Sequence, residues 1–165
     1  MKPLQPPDSL HLLAAEGWLE LGDPLEAGVE VDKIKPRLRI HPDVLEVRWS
    51  ISAKTKDWGK CQEIAKAIIR AVPERASGWV NLSFALHELK QTEEAFQNLL
   101  SIASHFPANP LVPYNLACYA CQMGREWEAK QWLGQACKTG DIRKIKLQAL
   151  EDVDLKPLWD HIERL

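Results

Sequence analysis

The sequence lacks what membrane spanning, nucleic-acid binding and disulfide frameworks each require. No stretch of its 165 residues approaches the roughly 18 consecutive apolar residues of a membrane span. The opening Met1-Lys2-Pro3-Leu4-Gln5-Pro6-Pro7 places three prolines in seven residues, which forbids a helix there. No apolar run follows that could serve as a signal peptide, so a cytoplasmic chain with a flexible proline-rich lead over residues 1–7 is expected. An excess of one charge is also missing. The formal net charge is -2 at pH 7, with Lys and Arg spread along the chain, whereas a nucleic-acid partner needs a strong basic excess. The small cluster Arg143, Lys144 and Lys146 reads as a solvated helix face. The four cysteines, Cys61, Cys118, Cys121 and Cys137, have no framework spacing and sit in periodic apolar segments. They read as buried thiols in a reducing compartment. The eight glycines are scattered and form no phosphate-binding loop, and neither a His-Glu-x-x-His pair nor a nucleophile elbow is present. The chain is therefore expected not to be an enzyme, and to need no cofactor and no metal.

What is present is an ordinary globular composition, 45% hydrophobic and 27% charged, arranged with a period of 34 residues. Ala27, Cys61, Ala95 and Ala129 stand 34 apart, as do Val31, Ala65, Leu99 and Leu133. Ile34, Ile68, Ile102 and Ala136 follow the same step, and so do Gly22, Lys56, Lys90 and Gly124. Pro73 and Pro107 are one step apart. A fixed period of this length marks a stacked array of supersecondary units. The small column lets two helices approach closely, the larger columns fill the space between units, and Gly22 and Gly124 suit the left-handed end of a helix. Lys56 and Lys90 must end their helices with less help.

The residues in these columns resemble the tetratricopeptide repeat, which sets Trp, Leu, a small residue and Tyr on a first helix and Ala, Phe, Ala and Pro on a second. The block 76–109 carries Trp79, Leu82, Ser83, Leu86, Ala95, Leu99, Ile102 and Pro107 at those offsets. The block 110–143 carries Leu116, Ala117, Ala120, Gly124, Ala129, Leu133 and Ala136, and the block 8–41 keeps Ala15, Trp18, Gly22, Ala27, Val31 and Ile34. The block 42–75 departs from the pattern. Arg48 and Trp49 replace Leu and a small residue, and Ser52 replaces an aromatic, so its first helix is expected to be shorter, shifted or unusually packed, while Trp58 to Val72 fits a second helix. The resemblance implies an all-α, right-handed α-solenoid of about four helix hairpins. Residues 144–165 are then expected to form capping helices, Lys144–Leu150 and Leu155–Arg164, over an apolar end that would otherwise meet water. Trp18 and Trp79 are expected in the core, Trp127 and Trp132 between hairpins, and Trp159 as the anchor of the cap.

The resemblance also implies a function. In this family the first helices line a concave groove that takes a short extended peptide. Carried over residue by residue, the groove comprises Asn81, Phe84, His87, Tyr114, Asn115, Cys118 and Gln122, continued by Leu12, Glu16 and Leu19 and by Glu46, Val47, Ser50 and Lys54. Asn81 and Asn115 share a column, where an amide can donate to and accept from a peptide backbone. Glu46, Val80 and Tyr114 stand where a carboxylate clamp for a chaperone tail would place Lys, which disfavours that ligand. The reading is thus a scaffold or adaptor for another protein or peptide, or for a second copy of itself. Alternatives are a small chaperone for secreted or assembling proteins, and a metal-binding role for Cys118, Cys121 and His87. No nucleic acid and no membrane are implied.

Overall fold

The computed structural model describes residues 2–164, and among these it contains helices and no strand. Two compact units divide the chain between Asn81 and Leu82. The first holds α1 (Asp8–Glu20), α2 (Pro24–Lys33), a 3-10 turn at Pro36–Leu38, α3 (Pro42–Lys54), α4 (Trp58–Ala71) and the start of α5 (Ala76–Glu88). The second holds the end of α5, α6 (Thr92–Ile102), a 3-10 turn at Ala103–His105, α7 (Leu111–Gln122) and α8 (Glu126–Thr139). It continues through α9 (Ile142–Glu151), a 3-10 segment at Val153–Leu158 and α10 (Trp159–Ile162).

The period of 34 is built by one turn used four times. Gly22, Lys56, Lys90 and Gly124 have φ of 83°, 58°, 67° and 74°. After each, the next residue's N–H reaches back to a carbonyl of the preceding helix at 2.9 Å: Asp23 to Trp18, Asp57 to Ser52, Gln91 to Leu86 and Arg125 to Ala120. This is the Schellman ending, which satisfies carbonyls that the helix itself leaves open. The following helices begin at once. Asp23 Oδ1 accepts from Leu25 N and Glu26 N at 3.1 Å each, with Pro24 preset for the first turn, and Asp57 Oδ1 accepts from Lys60 N at 3.1 Å.

Within the hairpins the columns pack as their sizes dictate. Ala27, Cys61, Ala95 and Ala129 have no exposed surface, and Val31, Ala65, Leu99 and Leu133 are buried beside them. In the first unit α1 packs on α2, α2 on α3 and α3 on α4, around Leu12, Ala15, Ala27, Val31, Ile34, Val44 and Val47. Leu4 of the proline-rich lead packs against that cluster, and Lys2 C=O lies 3.0 Å from His41 Nε2. The start of α5 lies against α4 at Gly78, where a Cβ would come within 3.0 Å of Ile68 Cγ2 and 3.2 Å of Ile69 N. In the second unit α6 packs on α7 and α7 on α8, and Asn98 of α6 donates to Ser83 Oγ at 2.6 Å.

The irregular block forms a first helix of full length, α3 having 13 residues like α1. Trp49 is half-buried, Val44, Leu45 and Val47 are buried, and the small Ser52 is buried at the position of Trp18, Leu86 and Ala120. Three tryptophans differ from expectation, and one of them, Trp79, is half-buried with Nε1 donating to Pro73 C=O at 3.0 Å. Trp127 is 75% exposed, because it sits on the side of α8 opposite Ala129, Leu133 and Ala136. Trp18 is 36% exposed, because it lies at the edge of the α1 stripe formed by Asp8, Leu12 and Ala15.

Two outcomes follow from these contacts. A side chain with a Cβ in the left-handed region costs about 1–2 kcal/mol, partly offset in glycine by its larger loss of entropy on folding. Lys56→Gly and Lys90→Gly should each raise stability in urea by roughly 0.5–1 kcal/mol, and Gly124→Ala should lower it by a similar amount. Asp8 is buried and accepts from Lys35 N at 2.9 Å, with Lys35 Nζ at 3.1 Å. The Lys35 N–H, supported by its ammonium and opposed by burial, holds the Asp8 carboxyl below 3.8. The unfolded chain then binds the proton more readily than the folded one, so this contribution is complete above 3.8 and is lost as pH falls through the folded value. Urea midpoints measured at neutral and acidic pH should converge for Asp8→Asn and the parent as acid is added.

Candidate functional site

Residues four apart on a helix share a face, so Tyr114, Cys118 and Gln122 form one stripe along α7. The second unit places that stripe beside His87 from the end of α5, which stacks at 5.0 Å between ring centroids on Tyr119. Tyr114, Cys118 and His87 are buried and Gln122 is exposed. Four of the residues assigned to the groove from sequence therefore come together here.

The chain's own C-terminal segment lies on them. α9 ends at Glu151, and Asp152, with φ −83° and ψ 113°, turns the backbone out of the helix. Asp152 Oδ1 caps the next turn by accepting from Asp154 N at 3.0 Å. Its Oδ2 accepts from Tyr114 Oη at 2.9 Å and from Cys118 Sγ at 3.5 Å. Asp154 Oδ2 lies 3.0 Å from His87 Nε2, and Asp154 C=O accepts from Gln122 Nε2 at 2.9 Å. An ionised carboxylate can only accept, so His87 carries its proton on Nε2 toward Asp154, and its Nδ1 faces Thr92 Oγ1 at 2.9 Å. Below this polar layer Leu155, Leu158 and Ile162 are buried, and Trp159 Nε1 donates to Ala149 C=O at 3.1 Å and Asp152 C=O at 3.3 Å.

The electrostatics fit this use of the donors. Burial, reinforced by the neighbouring Cys118 and the Asp152 carboxylate, pushes the Tyr114 hydroxyl far up. Burial and then Asp152 push the Cys118 thiol well above its ordinary value. Both groups keep their protons and present them to a carboxylate. The same burial raises the Cys61 and Cys121 thiols to about 11. Among the described residues no group of three or more His, Cys, Asp and Glu could hold a metal ion. No helix of the described residues is long and apolar enough to cross a membrane.

The two asparagines each have a partner within their own unit. Asn81 belongs to the first unit, where its amide donates to Glu46 Oε2 at 3.0 Å while Ser77 Oγ bonds Glu46 Oε1. Asn115, in the second unit, donates to Leu111 C=O of its own helix at 2.8 Å, a local bond common for this side chain. Both amides therefore have internal partners, and Phe84 is half-buried. Sequence reasoning did not assign Asp152, Asp154 or Thr92 to the site. The available signal was Asp152-Val153-Asp154 between two apolar segments, where an Asp suits a cap. Elsewhere in the second unit, Phe106, Val112, Pro113 and Trp132, together with Gln131 and Gln135, line an open cleft of about 470 Å³.

Solved structures share this arrangement of hairpins. PilF of Pseudomonas aeruginosa matches with a TM-score of 0.72 at 23% identity, over 94% of this chain and 69% of its own. A double mutant of MamA from RS-1 matches at 0.67 and 15%, over 81% and 75%, and a second MamA mutant at 0.61 and 16%, over 81% and 77%. These neighbours are tetratricopeptide-type helical repeat proteins. The chain has the tetratricopeptide-type fold. The likeness is one of fold, and neither a family model nor a curated protein matches the sequence.

The burial of the thiols in this fold has a direct readout. Alkylation of the folded protein at neutral pH should modify Cys137 first, since it is half-buried and its thiol is raised less strongly than that of Cys118. Cys61, Cys118 and Cys121 should react only on unfolding. Peptide mass mapping showing early modification of Cys118 would contradict the closed arrangement around Asp152.

Proposed function

We propose that this chain is a protein-interaction module, a scaffold or adaptor that takes an extended segment of another protein, works in the cytoplasm, and acts by binding, not by catalysis. The tetratricopeptide-type fold supports the general reading, since helical-repeat surfaces of this type suit protein partners. One observation supports the finer one: the α7 face already holds a chain segment. Gln122 reads a main-chain carbonyl of that segment, while Tyr114 and Cys118 read a side chain. Backbone contacts that give affinity and side-chain contacts that give selectivity are the two elements of extended-peptide recognition.

The experiment is site-directed photo-crosslinking in cells. A photoreactive residue at Gln122, which is exposed on the groove face, is compared with one at Glu94, exposed on α6. A discrete protein adduct from position 122 and none from position 94 is the expected result. Adducts from position 94 alone would move the partner to the other face and contradict the groove reading.

A further inference from the structure

The side chains of α5 and α7 that bond residues 152–154 all serve as donors. Tyr114 Oη, Cys118 Sγ, His87 Nε2 and Gln122 Nε2 meet two carboxylates and one carbonyl, and the first three belong to buried residues. A buried donor left without an acceptor loses its hydration and gains nothing in return. An apolar or basic segment laid on this surface would orphan three such groups. The surface therefore selects a chain that carries two acids separated by one residue. The middle residue is free to vary, since Val153 is 73% exposed.

We propose that the α5–α7 surface is a receptor for an acid-x-acid segment of a partner protein, and that Asp152-Val153-Asp154 is its built-in competitor. The inference rests on the reading that this groove receives a partner and specifies the partner's chemistry. The intramolecular segment enjoys a high effective concentration, so a partner meets a closed site and binds with an apparent affinity reduced by the fraction that is open. Asp154, with its side chain 31% exposed, is the accessible end from which exchange starts. The apolar residues beyond it, Leu155, Leu158 and Ile162, hold the segment near the site.

The probe is a labelled synthetic peptide copying residues 150–160, with a second peptide carrying Asn in place of both acids. Each is titrated by fluorescence anisotropy into the full chain and into full-chain Asp152→Asn/Asp154→Asn. The acidic peptide should bind the variant at least tenfold more tightly than the parent, and the Asn peptide should bind neither. Adding His87→Gln to the variant should weaken the acidic peptide again. Equal binding of the two peptides, or no gain in the variant with its helical circular dichroism retained, would overturn the proposal. Dimerisation of the variant by exchange of its C-terminal segment, seen by light scattering, would also overturn it by assigning the surface to a second copy. If the variant does not fold, hydrogen exchange on the parent decides. Saturating acidic peptide should speed exchange at the Leu155 amide, which is bonded to Asp152 C=O at 3.1 Å, and unchanged exchange would contradict displacement. Crosslinks confined to position 94 in the cellular experiment would remove the groove as the partner's site in cells and leave the peptide preference standing, so the two failures are distinguishable.

Discussion

Two helices that touch through alanine-sized side chains cannot stand alone. At Ala27, Cys61, Ala95 and Ala129 the contact is close and fully buried, but the side chains at the crossing are small. The larger residues of each hairpin, Val31, Leu99 and Leu133 among them, are buried only because another element covers them. Each hairpin therefore needs a neighbour. The turn that closes each hairpin is fixed by a left-handed residue at the end of its first helix, occupied twice by glycine and twice by lysine at a cost in strain.

The same requirement explains the C-terminal segment. Against the α7–α8 hairpin pack α9 and the 3-10 segment, with α10 behind them. Leu155, Leu158 and Ile162 supply the apolar part of that cover. Asp152 and Asp154 supply the polar part, because α7 and α5 present Tyr114, Cys118 and His87 as buried donors that need acceptors. A cap made of leucines alone would leave those three unpaired. Completing the last hairpin and filling its groove are thus one event, which ties the stability of the unit to the state of its binding surface.

The repeat was legible because it is a matter of spacing and residue size. Small and apolar columns 34 apart specify helices, turns and the buried face without knowledge of any contact. The ends of the first helices were legible even at Lys56 and Lys90, since column position carried information that residue type did not. The tryptophans were less so. Trp127 is apolar yet points to solvent, and only its phase relative to Ala129 and Leu133 shows this. The groove stripe Tyr114, Cys118, Gln122 followed from helical spacing, and the structure brings it together with His87. What lies on it did not follow, because the match of Asp152 and Asp154 to donors some 30 to 70 residues away is a long-range polar contact with no local signature. The asparagines illustrate the same limit, for Asn81 is engaged by Glu46 across 35 residues.

The closing of the last hairpin by its own acidic segment is tested most directly by a double-mutant cycle on Tyr114→Phe and Asp152→Asn. Phe keeps the ring and removes the hydroxyl alone, while Asn also disturbs the acceptor of Cys118 Sγ, a loss common to both Asn variants that the cycle cancels. Stabilities of the parent, both single variants and the double variant are measured in urea. A part-buried hydrogen bond to a charged acceptor predicts a coupling of about 1.5–3 kcal/mol, the double variant being less damaged than the sum of the singles. Additive losses would contradict the account and separate the segment from the α7 surface.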